Sequence, residues 1–236
     1  MKTLLFGFLL LTPVLAGYDS SSSSESCDSD EHGHGGHRPP GRPRPPGNGN
    51  GNGGGNLLQG GCDNGWRRFN RPSGGWCIRA FGGNLNQANA EAQCQSYGGT
   101  LSSLQNYEEI QYITSSALRV MPQSTGSVWV GARRTGACTG RPLGGACTTL
   151  NSFYWTDNSA SGTAGFVWTP GQPDNAHTPR VQNCAVLTAS PTANIFDGKH
   201  YWPANNLDDV PCDLTRMASV SPRKVVAYVC GKRSSR

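Results

Sequence analysis

The chain of 236 residues carries 20 lysines and arginines against 15 aspartates and glutamates, which gives a formal net charge of +5 at pH 7. Its positive charges are scattered and lack the basic stripe with interleaved aromatic residues that is typical of nucleic-acid binders, so we expect no nucleic-acid partner. Nine cysteines in this length indicate a disulfide framework formed in an oxidising compartment and disfavour cysteine catalysis.

Residues 1–16 have the pattern of a secretory signal peptide. Lys2 precedes an apolar run from Leu4 to Leu11, and small residues ending at Ala16 predict cleavage before Gly17. The run is far shorter than the ~20 residues that cross a bilayer, which disfavours a membrane anchor. No later segment is apolar enough to span a membrane. We therefore expect a secreted, extracellular protein.

Residues 17–61 are a low-complexity segment with runs of serine, of proline and arginine, and of glycine and asparagine. Almost none of these side chains can be buried, so the segment cannot offset its ordering entropy and is predicted to be a disordered stalk. Its histidines, His32, His34 and His37, are a weak candidate for transition-metal binding. A solvated tract is the simpler interpretation.

Cys27 lies alone in this stalk, while the other eight cysteines fall between Cys62 and Cys230. Because the total is odd, one cysteine is free or bonded to another molecule. Cys27 is therefore the candidate for a disulfide-linked homodimer.

Residues 62–232 are long enough for one domain with a real core, followed by a short tail at 233–236. A first helix is predicted over residues 86–97, ending at Gly98 and Gly99. A second begins at Asn106, whose side chain can cap the helix while Glu109 reaches back. Its apolar face consists of Ile110, Ile113, Ala117 and Leu118.

Short β-rich runs dominate after the second helix, separated by glycine, proline and asparagine. They cover residues 128–130, 153–155, 184–187 and 225–229. Helices followed by short strands predict an α+β domain. Five tryptophans have sequence contexts that fit a core: Trp66, Trp76, Trp129, Trp155 and Trp168.

An ordered series of motifs spans nearly the whole domain and resembles a C-type lectin-like domain of the long form, as in secreted single-domain nematode members. The resemblance implies two helices packed on short antiparallel sheets, with a long loop that binds calcium and sugar. The motifs are Gly65-Trp66, Cys77, Ala90-Glu91-x-x-Cys94, Gly98-Gly99-x-Leu101, Trp129-Val130-Gly131, Phe153-x-Trp155-x-Asp157, Trp168-x-x-Gly171-Gln172-Pro173-Asp174, Asn183-Cys184, Asp208-Asp209-x-x-Cys212 and Tyr228-x-Cys230.

Spacing alone leaves 105 pairings open for eight cysteines. The resemblance implies three framework disulfides, and the two cysteines left over are then expected to pair across an inserted glycine-rich hairpin. The four expected pairs are Cys62 with Cys77, Cys94 with Cys230, Cys184 with Cys212, and Cys138 with Cys147.

The resemblance also implies a Ca²⁺ site with a cis peptide bond before Pro173. The ligand candidates carried over from the family's motifs are Gln172, Asp174, Gln182, Asp208 and Asp209. Gln182 stands where the family has a carboxylate, Asp208 where it has an amide, and Leu207 where it has a tryptophan. The first two changes offset each other in charge, and oxygen ligands suit this hard cation.

The same resemblance implies a carbohydrate site on the metal. The carboxylates and amides of Gln172, Asp174, Gln182 and Asp208 can accept from and donate to sugar hydroxyls. Gln-Pro-Asp accompanies galactose-type sugars in the family. His177 is a candidate to stack on the sugar ring, with Tyr201 and Trp202 as alternatives.

Two hypotheses of function remain. The first is a secreted calcium-dependent lectin that recognises microbial or surface glycans in innate immunity. The alternative is a calcium-independent, protein-binding C-type lectin-like scaffold, consistent with the departures at Gln182 and Leu207. An enzyme is not expected, because no phosphate loop, catalytic triad or zinc motif occurs in the domain and His177 has no nucleophile beside it.

Overall fold

The computed structural model describes residues 60–176, 180–214 and 221–235. The predicted signal peptide, almost all of the stalk, Cys27 and His177 lie outside these ranges. The elements within them, in chain order, are β1 Arg67–Arg71, β2 Gly74–Gly82, α1 Gln87–Ser96, β3 Thr100–Leu101, α2 Tyr107–Leu118, β4 Gly126–Arg134, a 3₁₀ turn Gly136–Cys138, β5 Phe153–Trp155, β6 Cys184–Ala189, β7 Asn194–Phe196, β8 Tyr201–Pro203, β9 Leu207–Val210 and β10 Val225–Arg233.

Both helices begin at asparagine caps. The Asn86 side chain accepts from the Asn89 N–H at 2.8 Å, and Asn106 accepts from the Glu109 N–H at 3.0 Å. Glu109, however, does not reach back to the cap residue. Its carboxylate accepts from the Gln105 N–H at 2.9 Å and forms a buried ion pair with Arg71. A tertiary partner therefore draws this side chain away from the local capping geometry.

Eight strands form one mixed sheet in the order β1, β2, β10, β4, β6, β9, with β3 paired to β10 and β5 paired to β4. The β4–β10 pair is parallel and the other pairs are antiparallel. Strands β7 and β8 form a separate hairpin, residues 194–203, called here the β7–β8 hairpin. The α+β class is confirmed, although strands β1 and β2 precede the helices and were not predicted.

The two helices cover opposite faces of the sheet. Apolar side chains of α2, such as Ile110 and Ile113, share a core cluster with Val128 and Val130 of β4. Trp129, between those two valines, belongs to a second cluster with Ala90 and Cys94 of α1. Alternate residues of a strand point to opposite faces, so where both faces of a central strand are covered, as at residues 128–130 of β4, consecutive residues are apolar. This explains why the sequence predicted the central strands β4, β6 and β10.

Four disulfides tie the domain together, in the same pairs that the resemblance implies: Cys62–Cys77, Cys94–Cys230, Cys138–Cys147 and Cys184–Cys212. The second joins α1 to β10, and the fourth joins the start of β6 to the segment after β9. None of the helices in the described ranges has the length and apolarity needed to cross a bilayer.

Candidate functional site

Strand β9 brings two adjacent carboxylates to one edge of the sheet. Asp208 pairs in register with Val186 of β6, and Asp209 pairs with Ala185. Neighbouring residues of a strand point to opposite faces, so the two carboxylates need separate partners. Both residues are buried, Asp208 at 5% and Asp209 at 0% exposure.

Asp209 forms an ion pair with Arg134, at the end of β4, and neither side chain has any exposed surface. The same carboxylate accepts from the backbone N–H groups of Asp174 and Asn175, each at 3.0 Å. Arg134 also donates through Nε to the Gln182 carbonyl oxygen at 2.8 Å. The Arg134–Asp209 pair therefore joins β4 and β9 to both ends of the loop that carries the predicted ligands.

Asp208 forms an ion pair with Arg223, on the other face of β9, and both side chains are less than a tenth exposed. The Arg223 guanidinium also lies 3.8 Å from the Asp197 carboxylate. Its planar group stacks on Trp202, with the central carbon 3.2 Å from the ring centroid. This pair links β9 to the β7–β8 hairpin.

Burial shifts the ionisation of both pairs. Loss of hydration raises the pKa of Asp208 to about 7, although Arg223 opposes the shift, and raises the pKa of Asp209 to about 6, although Arg134 opposes it. Burial likewise lowers the pKa of Arg134, against the attraction of Asp209. Each charged carboxylate at this edge therefore depends on the guanidinium beside it.

The segment around Pro173 is organised by its own side chains. The Gln172–Pro173 peptide bond is cis, as the resemblance implies. The Gln172 side-chain oxygen accepts from the Asp174 N–H at 3.0 Å, and its amide nitrogen donates to the Asp174 carboxylate at 3.3 Å. The Asp174 carboxylate also accepts from the Ala176 N–H at 3.0 Å. Gln172 and Asp174 remain half-buried and accessible.

Gln182 is buried, and its two side-chain polar atoms differ in their partners. The amide nitrogen donates to the backbone carbonyl of Asp209. The side-chain oxygen has no hydrogen-bond partner among the described residues. This oxygen is an unsatisfied acceptor inside the wall of the site, with almost no accessible surface.

A cleft of about 820 Å³ opens beside these groups. Four of the five predicted ligands line it, namely Gln172, Asp174, Gln182 and Asp208, and the β7–β8 hairpin contributes His200, Tyr201 and Trp202. Asp209 does not line the cleft because Arg134 and the loop backbone cover it. Sequence reasoning missed Arg134 and Arg223, because nothing local to either arginine signals an acidic partner.

These residues, as arranged, do not fit a Ca²⁺ ion. Calcium takes six to eight oxygen ligands, usually with several free carboxylates. Two of the three predicted carboxylates are already paired with guanidinium groups, so the predicted set together with Arg134 and Arg223 retains one net negative charge. Within the described ranges, no group of three or more His, Cys, Asp or Glu side chains is arranged to hold a metal. Calcium ligation stays a prediction of the resemblance alone.

The two helices on opposite faces of the sheet, the four disulfides and the long loop before β6 define a C-type lectin-like domain. Residues 67–233 match the family model described as C-type lectin domain-containing protein 141/158. The chain belongs to this family, which confirms the resemblance drawn from the motifs.

Known proteins similar to the chain include the galactose-specific lectin nattectin of Thalassophryne nattereri, 28% identical over 124 residues. That match covers 52% of this chain and 65% of nattectin, a little under two thirds of its length. Among solved structures, the cow carbohydrate-recognition domain of CD23 is 19% identical with a TM-score of 0.47, and the match covers 74% of this chain and 98% of that one. A calcium-independent type II antifreeze protein is 23% identical with a TM-score of 0.45, covering 74% and 95%.

Proposed function

We propose that this protein is a secreted, non-enzymatic lectin that binds a neutral, galactose-type glycan in the 820 Å³ cleft. The observation that carries the proposal is that polar groups suited to sugar hydroxyls line the same cleft as the aromatic side chains of Tyr201 and Trp202. Recognition of microbial or surface glycans in innate immunity, and dimerisation through Cys27, belong to the same proposal as expectations drawn from the family and the stalk.

The polar wall of the cleft offers both kinds of hydrogen-bonding partner to a sugar. A hydroxyl can donate to the accessible Asp174 carboxylate and accept from the Gln172 amide. The Gln172-Pro173-Asp174 motif and the galactose specificity in nattectin's name both support a galactose-type ligand.

The aromatic wall is provided by the β7–β8 hairpin. Tyr201 is 70% exposed and packs against Phe196, 53% exposed, with ring centroids 4.8 Å apart. Exposed aromatic faces suit the apolar face of a sugar ring, because they bury large area while hydroxyls remain free to bond elsewhere. Tyr201 and Trp202 therefore replace His177 as the favoured stacking residues in this proposal, since both line the cleft.

No step of the proposed binding passes through a metal ion, because the donor set does not fit one. The calcium-dependent version of the lectin hypothesis is kept as an outcome of the test. A glycan array probed in EDTA and in millimolar Ca²⁺ separates the two: a galactose signal that persists in EDTA is expected. A mannose signal without galactose would contradict the galactose assignment, and absence of any glycan signal would favour the protein-binding scaffold.

Two variants test whether the sugar binds in this cleft. For Asp174→Asn we expect roughly tenfold weaker galactoside binding or worse, because hydrogen bonds to charged acceptors contribute about 1.5–3 kcal/mol. For Tyr201→Ala we expect a loss of several-fold, since stacking contributes about 0.5–1.5 kcal/mol. Calorimetric titration with a galactoside measures both. Tyr154→Ala is the matched control, since Tyr154 is 50% exposed on β5 and does not line the cleft.

A further inference from the structure

The geometry points to a replacement of the metal by the protein itself. We propose that the guanidinium groups of Arg134 and Arg223 hold the carboxylates of this site in place of a divalent cation, so that the cleft keeps its shape without calcium. The part of this inference that concerns ligand binding rests on the proposed lectin function. The part that concerns folding does not.

Arg134 has the contacts that such a substitution needs. Its three guanidinium nitrogens reach three chain segments: Nη2 pairs with Asp209 of β9, Nε donates to the Gln182 carbonyl at 2.8 Å, and Nη1 donates to the Arg141 carbonyl at 3.2 Å. An ion that organises a loop does the same thing, since it gathers oxygens from separate segments. Here a planar, permanently charged side chain gathers them.

The long loop depends on the carboxylate that Arg134 holds. Asp209 receives the backbone N–H groups of Asp174 and Asn175, so the segment after the cis Gln172–Pro173 bond is fixed to β9. This contact positions the Gln172 and Asp174 side chains in the cleft. Because Arg134 and Asp209 have no exposed surface, entry of a cation at this carboxylate would require the buried pair to separate.

Arg223 holds the second carboxylate, on the other face of β9. It pairs with Asp208, whose position in the family carries an amide, and it stacks on Trp202 of the β7–β8 hairpin. The aromatic wall is thereby connected to the polar wall through one guanidinium. The carboxylate at Asp208, which kept the predicted ligand charge at −3, is the partner of this arginine rather than an additional free ligand.

The net charge agrees with this interpretation. Counted in their ionised forms, Asp174, Asp208 and Asp209 together with the two arginines retain one negative charge, or two when Asp197 beside Arg223 is included, in place of the −3 of the predicted ligands alone. The arginines therefore already supply the positive charge that the carboxylates need.

Thermal unfolding of the whole protein tests this without any glycan. We expect the unfolding midpoint of the wild type to be the same in EDTA, millimolar Mg²⁺ and millimolar Ca²⁺. A ligand that binds only the folded state must raise the midpoint, and extracellular calcium modules bind at about 10⁻⁴–10⁻³ M. A rise of a few degrees specific to Ca²⁺ in the wild type would overturn the proposal.

Removing the guanidinium should create a calcium response that we expect to be absent from the wild type. For Arg134→Met and Arg223→Met we expect a lower midpoint in EDTA, because a buried carboxylate loses its counterion, and partial recovery in Ca²⁺ but not in Mg²⁺. Arg71→Met is the matched control. Its partner Glu109 is equally buried and, among the described residues, accepts otherwise only from the Gln105 backbone N–H, so we expect a lower midpoint. Because this pair includes none of the predicted calcium ligands, we expect no recovery in Ca²⁺.

Equal responses of Arg134→Met and Arg71→Met to Ca²⁺ would count against the replacement of a metal by arginine. If the variants do not fold, calorimetric titration of the wild type with Ca²⁺ decides: no heat of binding supports the proposal and saturable binding overturns it. The glycan array reports separately, because galactoside binding that needs Ca²⁺ would refute this inference and leave the lectin function intact. If no glycan binds, the lectin function is refuted and the replacement of the metal by arginine still stands on the unfolding data.

Discussion

A buried carboxylate stays charged only when neighbouring groups compensate for its lost hydration. At the edge of this sheet, Asp208 and Asp209 obtain that compensation from Arg223 and Arg134. Removing one partner of such a pair costs far more than the pair contributes, because the remaining charge is left buried. In each pair, the carboxylate can therefore stay charged in its buried position only while its arginine partner is present.

Gln182→Glu, which restores the carboxylate that the family has at this position, should destabilise the domain. The Gln182 amide nitrogen donates to the Asp209 carbonyl, and glutamate would place an acceptor against that acceptor in a buried position. We expect a loss of about 1–3 kcal/mol in the free energy of unfolding. Urea denaturation measures it, with Gln93→Glu, on the exposed face of α1, as the control expected to change little. Unchanged stability would mean that the Gln182 contact contributes nothing.

At the scale of elements, the β7–β8 hairpin is organised by one carboxylate. Asp197 accepts from the N–H groups of Lys199 at 3.0 Å and His200 at 2.9 Å, and from the Trp202 indole at 2.7 Å. Partial burial acts to raise the pKa of Asp197, but these hydrogen bonds and Arg223 outweigh it and hold the pKa below its usual value. The β7–β8 hairpin, which carries the aromatic wall, therefore depends on Asp197 being ionised.

The sign of this shift predicts an acid-sensitive hairpin. A carboxyl with a lowered pKa in the folded state contributes stability above its unfolded pKa, and that contribution is lost as pH falls through the folded value. We expect the Trp202 indole N–H resonance to move below about pH 4, in the range where free aspartate titrates. In Asp197→Asn the transition should disappear. A resonance that shifts identically in the variant would show that another group controls the hairpin.

At the scale of the whole molecule, the disulfides differ in how much chain they close. Cys94–Cys230 spans 136 residues and joins α1 to β10, whereas Cys138–Cys147 spans 9 residues in the segment between β4 and β5. In the loop-entropy model a disulfide stabilises by restricting the unfolded chain, and its effect grows with the logarithm of the loop. The Cys94–Cys230 disulfide should therefore contribute more to the free energy of unfolding than the Cys138–Cys147 disulfide.

Replacing both members of a pair by alanine tests this order. We expect a loss of about 5 kcal/mol for Cys94→Ala with Cys230→Ala, and about half of that for Cys138→Ala with Cys147→Ala. Denaturant unfolding under non-reducing conditions compares the two double variants, and the second serves as the control for the loss of a disulfide as such. A larger loss for the short loop would indicate that native-state contacts, not chain entropy, dominate.

Much of the fold was predictable because its signals are local. Asn86 and Asn106 cap the helices through hydrogen bonds that span three residues, and glycines follow the first helix where it ends. The middles of the central strands were recognisable because burial on both faces makes consecutive residues apolar there. Strand β1 was missed because its side chains are mostly polar, and its pairing with β2 depends on a register that the sequence does not display.

The sequence by itself determined the family, through motifs in a fixed order, and it named four polar residues that line the cleft, Gln172, Asp174, Gln182 and Asp208. What only the tertiary structure decided is the electrostatic state of that site. Arg134 lies 75 residues from Asp209, and Arg223 lies 15 residues from Asp208, so no local pattern connects them. Counting acids along the chain predicts a cation site, whereas the folded chain places a guanidinium on each of the two strand carboxylates, Arg134 from β4 and Arg223 from the turn before β10. The charge balance of the site depends on which side chains lie close together in space, and that is decided only when the chain folds.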